Sequence, residues 1–302
     1  MKSHSYRTVD VPVSGGLLRV GVWDPVSPAE GAPTVLAIHG VTASHLAWPF
    51  VVGELPGVRI IAPDLRGRGA SNTVDGPAGM HAHAADLVAV LDNFGERSVP
   101  VFGHSMGAFV AVTLAHLAPE RVSRLVLIDG GLPLDTPAGV SAEALVQAIL
   151  GPTADRLSRR FADVPAYLDF WRAHPAFARD WSGELEAYFA YDLVPAGDGL
   201  RPATSLATTT DDTVDMNTGS TLADALAALP AFSGPVELIT VPRGLLDEPP
   251  GLYPPAHLAT LLSALPNVRH VELEDLNHYT VVMSERGARA LAPILHGELS
   301  AR

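Results

Sequence analysis

Short apolar runs that alternate with helical patterns constrain the fold of this chain more than any other feature. Four of these runs are TVLAIHG (34–40), VRIIAPD (58–64), VPVFGHS (99–105) and RLVLIDG (124–130). Their nearly continuous Val, Ile and Leu content is typical of strands that are covered on both faces. Between the second and third runs, apolar residues recur at helical spacing at Ala84, Leu87, Val88 and Leu91. This alternation predicts a largely parallel sheet covered by helices.

Further strands are predicted near both ends of the chain. Residues 6–13 and 17–24 flank a glycine-containing turn and predict an antiparallel hairpin. The apolar runs VELITV (236–241) and VRHVEL (268–273) continue the sheet, and each is followed by a helical pattern. The alternation therefore resumes after a long interruption.

That interruption, residues 132–232, contains helical stretches and several prolines but no run typical of a buried strand. We predict an α/β core made of residues 1–131 and 233–302. Residues 132–232 are predicted to be inserted as a mostly helical cap, or lid, that lies over the sheet. A chain of 302 residues is long enough for a core of about 200 residues plus such an insertion.

Aromatic side chains crowd into a short part of the predicted cap. The whole chain holds nine Phe, six Tyr and four Trp, and nearly half of them lie between residues 161 and 191. A small cap needs aromatic bulk for its own core, and an apolar substrate pocket between cap and sheet needs it too. The sequence leaves both roles open. The candidate pocket residues are Trp171, Trp181, Tyr188 and Tyr191.

Composition excludes several classes of function. The chain has 33 acidic and 20 basic side chains, and its formal net charge of −13 repels nucleic acid and anionic membrane surfaces. No run approaches the roughly 18 apolar residues that a membrane-spanning helix needs. The N-terminal segment carries no secretory pattern, so we expect a cytoplasmic protein. Cysteine is absent, which excludes a thiol nucleophile. A serine must therefore supply any covalent catalysis of this kind.

The segment Gly103-His104-Ser105-Met106-Gly107 carries the most specific chemical signal. It follows an apolar run and opens a helical pattern. A serine at such a sharp strand-to-helix turn projects its hydroxyl above the sheet, and the residues two positions away must be small. The helix directs its first amides toward a developing oxyanion. Ser105 is therefore the predicted nucleophile. A serine hydroxyl needs a base, and His278 is predicted for that role because it follows the last predicted strand.

With these residues in place, the chain resembles the α/β-hydrolase superfamily over nearly its whole length. The supporting segments are His39-Gly40-Val41, the stretch DLRGRGAS at 64–71, the serine turn itself and Asn277-His278-Tyr279. The resemblance implies the α/β-hydrolase fold, a mostly parallel eight-stranded sheet flanked by helices with an inserted helical cap. It also implies an oxyanion hole formed by the backbone amides of Val41 and Met106. No cofactor is predicted.

The carboxylate that should orient His278 is left open between two positions. Most members of the superfamily place this acid on the loop after the strand that corresponds to VELITV, and Asp247 lies on that loop. Other members place it at the end of the strand after the nucleophile helix. Asp129 occupies that position, 24 residues past Ser105. The sequence favours Asp129 only slightly over Asp247, and Glu248 ranks third.

Metal and nucleotide sites are not predicted. Neither G-x-G-x-x-G after a strand nor G-x-x-x-x-G-K-[ST] occurs. Asp211, Asp212 and Asp215 lack the spaced oxygen ligands and the turn glycine of a calcium loop. We expect these three carboxylates to form a solvated face.

Together these features predict hydrolysis of a carboxylic ester or lactone bond in an apolar small molecule, through an acyl-enzyme on Ser105. Two alternatives stay open. Hydrolysis of a carbon–carbon bond in a diketone would use the same fold and triad, whereas a non-catalytic small-molecule receptor would use the fold alone. A serine rather than an aspartate at the turn argues against dehalogenase and epoxide hydrolase chemistry, whose ester intermediate needs a carboxylate. No oligomeric state is predicted.

Overall fold

The protein is described by a computed structural model for residues 3–135, 141, 144 and 152–300. The strands of its main sheet are β1 His4–Val13, β2 Gly16–Pro25, β3 Thr34–Ile38, β4 Arg59–Pro63, β5 Val99–His104, β6 Val122–Ile128, β9 Val236–Thr240 and β10 Val268–Glu272. A separate pair consists of β7 Leu193–Ala196 and β8 Gly199–Pro202. The order across the main sheet is β1-β2-β4-β3-β5-β6-β9-β10.

Helices fill the connections between the strands. They are α1 Pro49–Gly53, α2 Met80–Phe94, α3 Met106–Leu117, α4 Pro152–Ser158, α5 Val164–Arg172, α6 Gly183–Tyr191, α7 Leu206–Thr218, α8 Ser220–Ala228, α9 Pro255–Ala264 and α10 Glu285–Ser300. None of the described helices is long and apolar enough to cross a membrane.

The directions of the strands bring several connecting loops to one edge of the sheet. β2 pairs antiparallel with both β1 and β4. All other pairings in the main sheet are parallel, from β4 through β3, β5, β6 and β9 to β10. The carboxyl ends of these parallel strands therefore share an edge, where open α/β sheets bind their ligands. The arrangement confirms the predicted α/β-hydrolase fold.

Apolar side chains cover both faces of the sheet, as the continuous apolar runs predict. On one face, Leu87 of α2 and Val110 of α3 belong to one buried cluster with Leu36 of β3. On the other face, Leu291 of α10 belongs to a second cluster with Val35 of β3. Adjacent residues of β3 thus point to opposite faces. Each fully buried side chain of this kind stabilises the fold by about 1.5 to 3 kcal/mol.

Two strands end before the predicted runs do, at positions that matter for the site. β5 ends at His104 and β6 ends at Ile128. The next residues, Ser105 and Asp129, have φ angles of 55° and 46°. A positive φ is incompatible with an extended strand, so the chain turns out of the sheet at both residues.

The segment between β6 and β9 is not purely helical in its described part. β7 and β8 pair there as a hairpin around Gly197, which has a φ of 67°. These strands are short and half-buried, so they produce no apolar run in the sequence. Helix α8 packs against α3, and its Leu222 and Ala225 lie in the buried cluster of the sheet face. The division of the chain into core and cap stays a prediction.

Candidate active site

Ser105 occupies a strained turn between β5 and α3. Its φ and ψ angles are 55° and −124°, a combination that residues with a side chain rarely adopt. The Ser105 amide donates to the Ile128 carbonyl at 3.0 Å, and the Ser105 carbonyl accepts from the Ala108 amide at 3.0 Å. The neighbouring strand and the first turn of α3 thus hold the serine backbone in place.

Glycines are required on both sides of this turn. A β-carbon on Gly103 would lie 2.5 Å from the Ala108 Cα, and one on Gly107 would lie 2.1 Å from the Ile38 carbonyl oxygen. Both contacts are with backbone atoms, which cannot rotate out of the way. The glycines of the sequence motif therefore reflect the close approach of β3, β5 and α3.

Ser105, His278 and Asp129 form a continuous chain of hydrogen bonds. Nε2 of His278 lies 3.0 Å from Oγ of Ser105, and Nδ1 of His278 lies 2.6 Å from Oδ2 of Asp129. The imidazole and the carboxylate are both buried, so solvent screens their interaction little. The Asp129 amide donates to the Ile239 carbonyl at 2.7 Å and so fixes the acid on the sheet. In this geometry an imidazole can accept a proton from a serine hydroxyl.

Asp247, the alternative acid, lies away from the imidazole. Its Oδ1 accepts from Nε of Arg243 at 2.7 Å and from Nδ2 of Asn277 at 3.0 Å. The carboxylate therefore braces the loop after β9 against the residue that precedes His278. This corrects the alternative assignment, because the loop directs Asp247 toward Arg243 while the end of β6 brings Asp129 to His278.

Val41 and Met106 belong to the two segments that border the serine. Met106 is the first residue of α3, and the first amides of a helix have no acceptor within it. Gly40 allows the other segment to come close, since a β-carbon there would lie 3.1 Å from Cβ of Ser105. Val41 and Met106 both line the cavity above the serine. Both predicted oxyanion donors are thus placed beside the nucleophile.

Two buried, neutral histidines form hydrogen bonds within the segments that border the active site. Nδ1 of His39 donates to the Gly40 carbonyl at 2.7 Å, and its Nε2 accepts from the Leu65 amide at 2.9 Å. Burial lowers the pKa of His39 to about 4. Nε2 of His104 donates to the His278 carbonyl at 2.8 Å. Burial, with the nearby His278 imidazole, holds the pKa of His104 well below its usual range.

An apolar cavity opens above Ser105. Aromatic and sulfur-containing side chains from α3 and from the segment between β6 and β9 (the predicted cap segment) form much of its wall: Phe109, Trp171, Phe177, Tyr188, Phe189 and Met216. Among the described lining residues, the ionisable side chains other than tyrosines are Asp129, His104 and His278. The described part of the wall therefore offers no charged partner to a substrate apart from the hydrogen-bonded site itself.

The predicted set of pocket residues is wrong in two members, because Trp181 and Tyr191 do not line this cavity. The Trp181 ring stacks on Phe189 with 5.7 Å between centroids, and its Nε1 donates to Oε1 of Glu186 at 3.0 Å. The Tyr191 hydroxyl donates to the buried Asp64 at 2.6 Å. In each case a polar group on the ring binds a carboxylate outside the cavity. The other two predicted pocket aromatics do line it.

Several apolar wall residues were missed by the sequence analysis. Leu134, Met216, Leu245, Leu252 and Met283 come from separate segments of the chain. An isolated apolar residue in a loop or at a helix end carries no periodic signal. Only the fold brings these side chains to one cavity.

Asp212 and Asp215 also differ from the expected solvated face. Asp212 is fully buried, and its Oδ1 accepts from the Gly79 amide at 2.6 Å. Oδ2 of Asp215 accepts from the Met80 amide at 2.7 Å. The two carboxylates therefore cap the N-terminus of α2, where negative charge is favourable. Among the described residues, no group of three or more acidic or histidine side chains is arranged to hold a metal ion.

Comparison with known proteins agrees with this architecture. A sequence profile of the α/β hydrolase fold matches residues 33–210. Lipase LipV of Mycobacterium tuberculosis is 35% identical over 207 residues, which are 64% of this chain and 76% of the lipase. A putative 2-succinyl-6-hydroxy-2,4-cyclohexadiene-1-carboxylate synthase of Bacillus subtilis is 30% identical over 184 residues, 57% of this chain and 60% of that protein. The crystal structure of the esterase Rv0045c from Mycobacterium tuberculosis shares the fold with a TM-score of 0.70 at 22% identity, covering 98% of this chain and 92% of the esterase. The chain therefore belongs to the α/β-hydrolase fold family.

Proposed function

We propose that the protein hydrolyses carboxylic ester or lactone bonds in apolar small molecules through an acyl-enzyme on Ser105. One observation carries the proposal: at the base of an apolar cavity, Oγ of Ser105 lies 3.0 Å from Nε2 of His278, and Nδ1 of His278 forms a hydrogen bond with Asp129. The similarity to Lipase LipV, at 35% identity, supports the same class of reaction.

In the first half of the reaction, Oγ of Ser105 attacks the carbonyl carbon of the ester while Nε2 of His278 takes the hydroxyl proton. The carbonyl electron pair moves to oxygen, and the amides of Val41 and Met106 stabilise this oxyanion by about 3 kcal/mol each. The tetrahedral intermediate then collapses. Its bond to the alcohol oxygen breaks, and the leaving alkoxide takes the proton from His278, which leaves the acyl group on the serine.

The second half repeats these steps with water as nucleophile. His278 takes a proton from the water as its oxygen bonds to the acyl carbon, and the same two amides hold the second oxyanion. The bond to Oγ breaks, and the proton on Nε2 returns to the serine. Asp129 stabilises the imidazolium in both halves and itself remains ionised.

The chemistry of the cavity selects for uncharged substrates. Removing a carboxylate from water into an apolar cavity without a cationic partner costs several kcal/mol, an expense that an uncharged acyl group avoids. Because the described wall is aromatic and aliphatic, aliphatic or ring-containing acyl groups fit it best. We therefore expect p-nitrophenyl butyrate to be a better substrate than a p-nitrophenyl monoester of succinate.

The test combines turnover with covalent labelling. Wild-type protein should hydrolyse p-nitrophenyl butyrate and react with a fluorophosphonate probe, with the adduct located on Ser105 by peptide mass spectrometry. Ser105→Ala should lose about 10⁶-fold in kcat and the label, since removing the nucleophile removes the covalent route. Ser158→Ala is the matched control, because Ser158 is exposed and outside the cavity.

Two results would replace this proposal with one of its alternatives. Wild-type protein that neither turns over esters nor takes the label would contradict catalysis and fit a receptor on the same fold. Cleavage of a diketone with a much higher kcat/KM than any ester or lactone would instead assign carbon–carbon bond hydrolysis.

A further inference from the structure

Arg68 is a fully buried cation on the loop after β4, close to the proposed oxyanion hole but outside the triad. Its guanidinium forms an ion pair with Asp212 of α7, which is also fully buried. The other oxygen of Asp212 lies 3.0 Å from Nε2 of His83 and accepts from the Gly79 amide. A buried arginine is costly unless such partners neutralise it, so its position needs a reason.

The remaining contacts of Arg68 point to the two residues that would supply the oxyanion donors. Its Nε donates to the Val41 carbonyl at 2.7 Å. Its Nη2 lies 3.9 Å from Sδ of Met106, and its Nη1 donates to the Arg66 carbonyl at 2.9 Å. One guanidinium therefore contacts both Val41 and Met106.

We propose that Arg68 is a positioning residue for the oxyanion hole and that Asp212 holds it in place from the cap segment. The inference rests on the proposed function, because it concerns the same site. The carbonyl and the amide of Val41 are joined through one Cα, so fixing the carbonyl restricts the direction of the amide. Oxyanion stabilisation depends on donors that are already aimed before the charge develops.

The cap segment holds this loop by more than the ion pair. The Ser205 amide, just before α7, donates to the Gly67 carbonyl at 2.8 Å. A β-carbon on Gly67 would lie 2.8 Å from the Thr208 side chain, so α7 packs directly on the loop. The start of α7 thus positions Arg68 while Arg68 positions Val41, which links the cap segment to the catalytic backbone.

The test substitutes Arg68→Lys, which keeps the positive charge but removes the planar group that reaches several acceptors at once. With p-nitrophenyl butyrate, we expect kcat to fall about 10-fold to 100-fold while KM stays nearly unchanged, because the lost interaction acts on the transition state. The trifluoromethyl ketone of the butyryl group forms an oxyanion adduct with serine, so its affinity should fall by the same factor as kcat/KM. The corresponding trifluoromethyl alcohol forms no oxyanion and should bind equally to both proteins.

Arg66→Lys is the matched control. Arg66 lies on the same loop, is buried, and makes a two-bond ion pair with Asp86 at 2.8 and 2.7 Å. Its side chain contacts neither oxyanion residue in these bonds, so the variant should lose stability without the selective loss of kcat. Asp212→Asn should also lower kcat, as Arg68→Lys does, and leave KM unchanged, because the guanidinium loses its charged partner.

The outcomes separate this inference from the proposed function. If Arg68→Lys keeps its kcat, or loses affinity for the ketone and the alcohol alike, Arg68 does not position the oxyanion hole. If Arg68→Lys does not fold, unchanged kcat in Asp212→Asn would overturn the inference in the same way. Wild-type protein without ester turnover or fluorophosphonate labelling would overturn the proposed function, and this inference with it.

Discussion

Asp129 and His278 are 149 residues apart in the chain, yet Oδ2 of one lies 2.6 Å from Nδ1 of the other. Since a carboxylate can only accept, the bond places the imidazole proton on Nδ1 and leaves Nε2 free to accept from the Ser105 hydroxyl, 3.0 Å away. The acid therefore selects the tautomer that the proposed reaction needs.

Asp129→Asn should lower kcat for p-nitrophenyl butyrate by about 10⁴-fold, because an amide N–H facing Nδ1 favours the wrong tautomer. Asp247→Asn is the control, since it removes a carboxylate of the same type from the neighbouring loop. Its partly exposed ion pair with Arg243 is worth about 0 to 1 kcal/mol, so its kcat should stay close to that of the wild type. The reverse ranking of the two variants would contradict the assignment of the acid.

Buried His39 makes the stability of the fold depend on pH. Its pKa falls from 6.5 to about 4 on burial, so the unfolded chain binds a proton at this residue below pH 6.5 while the folded protein does not. The contribution is complete above pH 6.5 and is lost as the pH drops toward 4, by up to about 1.4 kcal/mol per pH unit. Urea unfolding of His39→Gln should show a shallower fall over this range than the wild type. The exposed control His81→Gln should keep the wild-type slope, and equal slopes for all three proteins would refute the prediction.

The sequence was sufficient for the fold because its signals are local. Each buried strand is a continuous apolar run, and the serine turn carries its glycines within two residues on either side. The acid could not be chosen in the same way. Asp129 and Asp247 both follow strands and both have positive φ, and only the path of the loop after β9 separates them.

The pocket was predicted less well because a polar atom decides which way an aromatic ring faces. Trp181 and Tyr191 have the same aromatic character as Trp171 and Tyr188, but each donates a hydrogen bond to a carboxylate outside the cavity. Asp212 was predicted to be solvated but is buried, again because its surroundings depend on distant residues. Acidic clusters are usually solvated, and its partners come from distant parts of the chain.

Gly107→Ala should disrupt both the fold and the site. The new β-carbon would lie 2.1 Å from the carbonyl oxygen of Ile38, the residue that ends β3 just before the oxyanion segment. We expect a loss of about 3 kcal/mol or more in the free energy of unfolding, since backbone atoms must move to make room. A β-carbon on Gly297, at an exposed position of α10, would meet no atom within 4 Å, so Gly297→Ala should instead stabilise the protein by about 0.5 to 1 kcal/mol. Equal unfolding free energies for the two variants would contradict the packing described around the serine turn.

The ion pair between Asp180 and Arg286 should contribute more to stability than a similar pair on the surface. Nε and Nη2 of Arg286 donate to the two oxygens of Asp180 at 2.8 and 2.9 Å, and the aspartate is only 9% exposed. Asp180→Asn should therefore lower the free energy of unfolding by about 1 to 3 kcal/mol. The control is Glu285→Gln. It breaks a single hydrogen-bonded ion pair with Arg289, in which both side chains are more than 60% exposed, and should change the free energy of unfolding by about 0.5 kcal/mol or less.

Because Asp180 lies between β6 and β9 while Arg286 lies on α10, the Asp180 variant should also expose the segment between β6 and β9 to limited proteolysis at lower protease concentrations. Equal stability and equal proteolysis of the two variants would mean that this pair does not hold that segment on the core.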